Sequence, residues 1–184
     1  GASRGIGAAV ARIFNEKGNT LFLCGRMEDT LQNQKEELQS ANPGCIVHAR
    51  TADLSRKEQA HQWGEWVLSQ GGTPDVLINN AGTFIMGNIS DEADGALESM
   101  IETNLYSAYH LTRAFLPAMK ERKQGHIFNI CSIASLNAYD NGGAYSISKF
   151  ALYGFSKNLR KELMPFSIKV THVIPGAVYT ESWK

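Results

Sequence analysis

Tyr145 and Lys149 stand four residues apart in a segment that begins near Ala144 with helical spacing, so they share one face, about a turn from each other. Ser132 sits where the apolar run His126–Cys131 ends, at the strand terminus where open α/β sheets place their chemistry. A phenol, an ammonium and a hydroxyl therefore converge. A free phenol has a pKa of about 10. A cation some ~4 Å away is worth roughly 4 kcal/mol at an effective dielectric of about 20, enough to bring that pKa down by up to about 3 units. Tyr145 is then expected to exchange a proton near neutral pH, where general acids and bases work best. Ser132 could hold a substrate oxygen on which charge develops. Taken alone, Tyr-x-x-x-Lys also fits an ordinary amphipathic helix.

The elements that must position this trio read in order along the chain. Gly1-Ala-Ser-Arg-Gly5-Ile-Gly7 opens it, and Ile6, Val10, Ile13 and Phe14 then recur at helical spacing until Gly18. A glycine turn feeding a helix N-terminus suits phosphate, because backbone N–H groups and the helix dipole face the anion. A plain tight turn is the competing reading. Thr20–Cys24 reads as a strand followed by Gly25-Arg26, and Thr30–Ser40 as a polar helix broken at Asn42-Pro43-Gly44. Dinucleotide folds place an acid near the end of that strand for a ribose hydroxyl, or an arginine for a 2′-phosphate. Here the acid is missing, Arg26 is present and Arg4 adds a second cation; each is otherwise a surface arginine.

Residues 46–51 read as the next strand, followed by Asp53-Leu54 and a helix over 55–70. Asp53 suits a helix cap or an adenine contact. Val76-Leu77-Ile78 is a short buried strand ending in Asn79-Asn80-Ala81-Gly82, a composition that allows close backbone approach to a ligand or simply a turn. A helix from about Asp91 into the Leu116-Pro117 region carries Asn104 among Ile101, Leu105 and Ala108; a polar side chain there marks a kink or a site. Pro165 ends the Tyr145 helix, and Ile168–Ile174 is a last strand leading into Pro175-Gly-Ala-Val-Tyr-Thr180. Alternating strands and helices predict an α/β fold, a doubly wound parallel sheet covered on both faces in one domain over 1–184.

Composition narrows the function. Lysine plus arginine balances aspartate plus glutamate at 18 each, which gives no electrostatic case for nucleic acid or an anionic membrane. Cys24, Cys45 and Cys131 lack metal-type spacing, so no metal is expected; Cys24 and Cys131 lie in apolar strand-like runs and read as buried free thiols of a reducing, cytoplasmic compartment. No apolar run approaches the ~18 residues of a membrane span.

Gly1-x-x-x-Gly5-x-Gly7, Asn79-Asn-Ala-Gly82, Asn104, Ser132, Tyr145-x-x-x-Lys149 and Pro175-Gly-x-x-x-Thr180 occur in that order and resemble the short-chain dehydrogenase/reductase family, in its single-domain branch. The resemblance covers essentially the whole chain and extends to 3-oxoacyl-carrier-protein reductases and related carbonyl reductases. It implies an oxidoreductase moving hydride between NADP(H), rather than NAD(H), and a small-molecule carbonyl or alcohol. It makes Tyr145 the acid/base, Lys149 the group that lowers its pKa and binds the nicotinamide ribose, Ser132 the holder of the substrate oxygen and Asn104 the anchor of a relay water. It assigns Gly1, Ser3, Arg4 and Ile6 to the pyrophosphate turn, Arg26 to the adenosine phosphate, Asp53 and Leu54 to adenine, Asn80 and Gly82 to the adenosine-side ribose region, and Val178 and Thr180 to the carboxamide. Cys131 stands where the family frequently has serine. The resemblance also implies a homodimer or homotetramer, and a fragment of a longer chain lacking its first and last strands. A binding-only sensor or scaffold with the same fold is the alternative, and the tuned phenol speaks against it.

Overall fold

The computed structural model describes residues 1–178. They form two compact units, Gly1–Asp53 and Leu54–Val178. The expected Thr180 contact lies outside the described residues.

In the first unit, helix α1 (Gly5–Glu16) leads to strand β1 (Leu21–Gly25), helix α2 (Glu28–Ala41) and strand β2 (Val47–Thr51). The strands pair in parallel from Leu21 opposite Val47 to Gly25 opposite Thr51. The inward positions of all four elements meet in one cluster of Ala11, Leu21, Leu23, Leu31, Leu38, Cys45 and Val47. Buried Asn15 is tolerated because its amide donates to Leu38 O at 2.8 Å, while Asn42 donates to Asn15 O at 2.8 Å. Asn42 thereby ends α2 and ties it to α1, which is the physical content of the Asn42-Pro43-Gly44 break.

In the second unit, helix α3 (Lys57–Gly71) precedes strand β3 (Val76–Asn79). Helix α4 (Ala96–Ile101), a π-helical turn (Glu102–Tyr106) and helix α5 (Ser107–Arg122) then follow without a break. Strand β4 (Gly125–Ile130), helix α6 (Gly143–Leu163) and strand β5 (Ile168–Val173) complete it. Strand order is β3-β4-β5, all parallel, as strand–helix alternation predicts. Helix α3 lies close on α5 because Gly64 has no side chain; a Cβ there would be 2.7 Å from that of Ala114. A buried polar ladder pins the sheet to the helices. Asn79 Nδ2 donates to Thr112 Oγ1 at 3.0 Å and Asn129 Oδ1 at 2.8 Å, and Asn129 Nδ2 to Ser156 Oγ at 3.0 Å.

One helix departs from expectation at both ends. It begins at Ala96 rather than Asp91, because Asp91 closes a turn on Asn88 and Gly95 takes a left-handed φ of 83° before the first helical residue. It also runs through Pro117 to Arg122. Proline costs a backbone bond, but Phe115 and Met119 are fully buried on either side, and Arg122 donates to Thr73 O and Pro74 O. Tertiary packing outweighs the local penalty.

Candidate active site

Within the first unit the expected nucleotide residues gather at one end of the β1–β2 ladder. Gly1 N and Ala2 N both donate to Cys24 O at 2.9 Å, which hangs the glycine turn on the end of β1. Gly5 adopts a φ of 58°, a conformation that L side chains rarely take, so this glycine is required by the turn itself. Arg4 is the N-cap of α1 in extended conformation and makes no side-chain cap; the helix carries no acid in its first turn. Nothing on that first turn competes with an anion. Ile6 is half-buried, and Arg4 and Arg26 are exposed. Ala52 N donates to Gly25 O at 3.1 Å, which brings Asp53 beside the Gly25–Arg26 corner.

The space beside Gly25 is closely lined. A Cβ there would meet Ser3 Oγ at 3.3 Å and Leu31 Cδ1 at 3.4 Å. Its missing side chain lets Ser3 pack against the end of β1. Burial pushes the Cys24 thiol up to about 11, so it is an inert packing group.

Within the second unit, Asn80, Gly82, Asn104, Ser132, Tyr145 and Lys149 come from the ends of β3 and β4, the π-helical turn and the first turns of α6. Lys149 is 7% exposed, and its Nζ donates to Ile130 O at 2.9 Å. Burial lowers its pKa to about 8, with the Cys131 thiol opposing. A Cβ built on Gly82 would lie 3.1 Å from Asn104 Oδ1 and 3.7 Å from Lys149 Nζ, so Gly82 leaves open the space these two groups face.

Asn104 is fully buried, and its polarity is accounted for by the chain itself. Thr83 N donates to Asn104 Oδ1 at 2.7 Å, while Asn104 Nδ2 donates to Thr83 O at 3.0 Å and to Ser148 Oγ at 2.8 Å. The π-helical turn centred on Asn104 is what aims the amide this way; such turns recur at functional sites. Of the two sequence readings, the π-helical turn matches the kink. Ser148, which sequence reasoning passed over, completes the link by donating to Tyr145 O at 2.7 Å. Its position three residues after Tyr145, inside the Tyr-x-x-x-Lys spacing, was the available signal.

Ser132 caps a 3-10 turn over Ile133–Ser135; its Oγ accepts from Ala134 N at 3.2 Å, and Ser135 Oγ accepts from Ser132 N at 3.2 Å. Because the Ser132 oxygen accepts from the backbone, its own proton can be donated to an acceptor oxygen. Tyr145 is half-buried with the Phe84 ring edge-on at 4.7 Å. Here the structure corrects the expectation of an acidified phenol. Burial raises the Tyr145 pKa, a hydrogen bond with the Ser132 side chain opposes this, and Lys149 Nζ stands 5.8 Å from the ring centroid. Desolvation acts on the whole phenolate, whereas the ammonium is held off by Ile130 O. Burial also raises the Cys131 thiol. Leu54 is buried, and Val178 is exposed near the end of the described chain. Among the described residues no group of three or more His, Cys, Asp or Glu is placed to hold a metal, and no helix is long and apolar enough to cross a membrane.

A family model described as short chain dehydrogenase matches residues 1–184. An uncharacterized oxidoreductase of Staphylococcus aureus is 33% identical over 180 residues, covering 98% of this chain and 76% of that protein. The crystal structure of an actinorhodin polyketide ketoreductase variant with NADPH is 35% identical, with a TM-score of 0.93 over 98% of this chain and 69% of that one. L-Sorbose reductase from Gluconobacter frateurii, complexed with NADPH and L-sorbose, is 32% identical with a TM-score of 0.93, covering 100% of this chain and 69% of that one. The chain thus spans about three quarters of the curated relative's length.

Proposed function

This chain belongs to the short-chain dehydrogenase family of oxidoreductases, and from that premise we propose that it transfers hydride between NADP(H) and a carbonyl or alcohol, with Tyr145 as the acid/base. The observation that carries the proposal is the buried ammonium of Lys149, held among the described residues by one backbone carbonyl beside side-chain-free Gly82. Burying a cation with so little compensation costs stability, and such a cost is typical of a group kept for a ligand.

Each unit by itself carries residues of the chemistry that a dinucleotide needs. Gly1, Ser3, Arg4 and Ile6 supply the turn and helix start for phosphates, Arg26 a fork for a 2′-phosphate, and Asp53 and Leu54 the adenine contacts. Asn80 and Gly82 serve the adenosine-side ribose, Lys149 the nicotinamide ribose, and Val178 and Thr180 the carboxamide. NADP(H) rather than NAD(H) is supported by Arg26, by the missing acid at Gly25, and by NADPH in both neighbouring structures. When bound, the nicotinamide supplies or accepts the hydride.

The protein's own part is the proton. Ser132 donates to the substrate oxygen, and Tyr145 Oη delivers its proton to that same oxygen as negative charge grows there. A phenol raised by burial stays protonated at neutral pH, which is the form that reduction needs. Oxidation, the reverse step, needs the phenolate and is favoured on the alkaline side. Asn104 anchors a relay water in this scheme and, through Thr83 and Ser148, also fixes the loop and helix around the phenol. We further infer a homodimer or homotetramer, supported by Tyr106, Tyr109, Ile147 and Phe150, which α6 and the helical run of Asn104 leave exposed, and a cytoplasmic location, the reading made from the cysteines.

NADPH consumption by the full-length protein against β-ketoacyl thioesters, diketones, quinones and ketoses tests the reading. Turnover of one of these classes is expected. Tight NADPH binding without turnover of any would favour the sensor or scaffold instead.

A further inference from the structure

We infer that Glu92 is a positioning residue for Tyr145, an inference that rests on the reading of Tyr145 as the proton donor. Helix α6 begins Gly143-Ala144-Tyr145, and its N-cap Gly142 makes no side-chain cap. Two glycines in succession offer the first turn neither a cap nor rigidity. Ala144 is buried, so its N–H needs a partner from within the protein. That partner comes from 52 residues upstream: Ala144 N donates to Glu92 Oε1 at 2.7 Å. A carboxylate at a helix N-terminus also has the sign that the dipole favours.

The contact belongs to a latch over residues 84–92. Gly87 N donates to Asn141 O at 3.1 Å, and Asn141 itself holds a left-handed φ of 60°. A Cβ on Gly143 would land on Glu92 Oε1 and 2.5 Å from Gly87 O, and one on Gly87 would come within 2.9 Å of Glu92 Cγ. The two backbones therefore approach as closely as they do only because both positions are glycine. At the other end of the same loop, Phe84 sets its ring edge-on against Tyr145. Glu92 holds the turn from which Tyr145 projects, and Phe84 holds the ring. Lys149, a turn further on, is anchored separately to Ile130 O. Loss of Glu92 should therefore let the phenol wander while cofactor binding persists.

The test compares Glu92→Ala, Glu92→Asp and Glu92→Gln in the full-length protein, with the fastest carbonyl among the four classes and with NADPH binding followed by fluorescence. Glutamine keeps an acceptor at the same reach, whereas aspartate is one methylene short. Expected are a kcat lowered about tenfold or more in the alanine and aspartate variants, NADPH affinity within about twofold of wild type, and substantial rescue by glutamine. The aspartate variant carries the test if the alanine variant does not fold. Wild-type kcat in either short variant, or a loss of NADPH affinity as large as the loss of kcat, overturns the inference. Tyr145→Phe run alongside separates the two levels. If it turns over normally, the acid/base reading fails; if it is dead while Glu92→Asp is unimpaired, only the role of Glu92 fails.

Discussion

Replacing Lys149 by methionine should stabilise the ligand-free protein while abolishing its use of cofactor. The ammonium is 7% exposed and its pKa falls from 10.5 to about 8 on burial. That difference corresponds to about 3 kcal/mol of penalty against the folded state at neutral pH. Methionine removes the penalty and keeps most of the volume, at the cost of leaving Ile130 O without its donor, roughly 1–2 kcal/mol. A net gain of about 1–2 kcal/mol at pH 7 follows. The pH dependence is a cleaner readout than the net value. A depressed folded pKa means that the unfolded chain binds more protons between about pH 8 and 10.5, so wild-type stability rises with pH through that window. Between pH 7 and about 9.5 the rise due to Lys149 is about 2 kcal/mol. Urea denaturation of both proteins at matched pH values, taken as the difference between them, cancels the tyrosines and other shared groups. Wild type should gain on the variant by that amount as pH rises. Parallel curves would mean that Lys149 is solvated in the folded state and that its burial carries no cost to be explained by a ligand.

Two further outcomes are expected. Arg26→Ala should lower kcat/KM for NADPH about tenfold or more relative to NADH, since a charge-assisted bond to phosphate is worth roughly 1.5–3 kcal/mol. This single change is preferable to an acid at Gly25, which would press on Ser3; an unchanged cofactor ratio would place Arg26 in solvent. Phe150→Glu, on an exposed position of α6, should shift the sedimentation profile toward monomer, and an unaltered profile would remove that helix from any interface.

What the chain revealed on its own was whatever is local in it. Tyr145 and Lys149 four apart, the glycines around Ser3 and Arg4, and the helix break at Asn42 are each governed by a few consecutive residues, and the structure agrees with them. What stayed hidden depends on partners far along the chain. Asn104 looked like an unsupported polar residue until Thr83 and Ser148 were seen around it. Glu92 fell inside the helix expected from about Asp91, and nothing near it in sequence reveals that it meets Ala144. The direction of the Tyr145 shift was missed for a related reason. Spacing gives the lysine but neither the depth of burial nor the carbonyl that restrains it.

The most direct measurement is the turnover of Tyr145→Phe set against its affinity for NADPH, both made on the full-length protein with its fastest carbonyl substrate. Loss of a general acid typically costs 10²–10⁴-fold, so the rate should fall by about that factor while NADPH binding stays within about twofold, because the cofactor is assigned to the glycine turn, Arg26 and Lys149. A variant that keeps more than about a tenth of the wild-type rate would contradict the assignment of the proton to Tyr145.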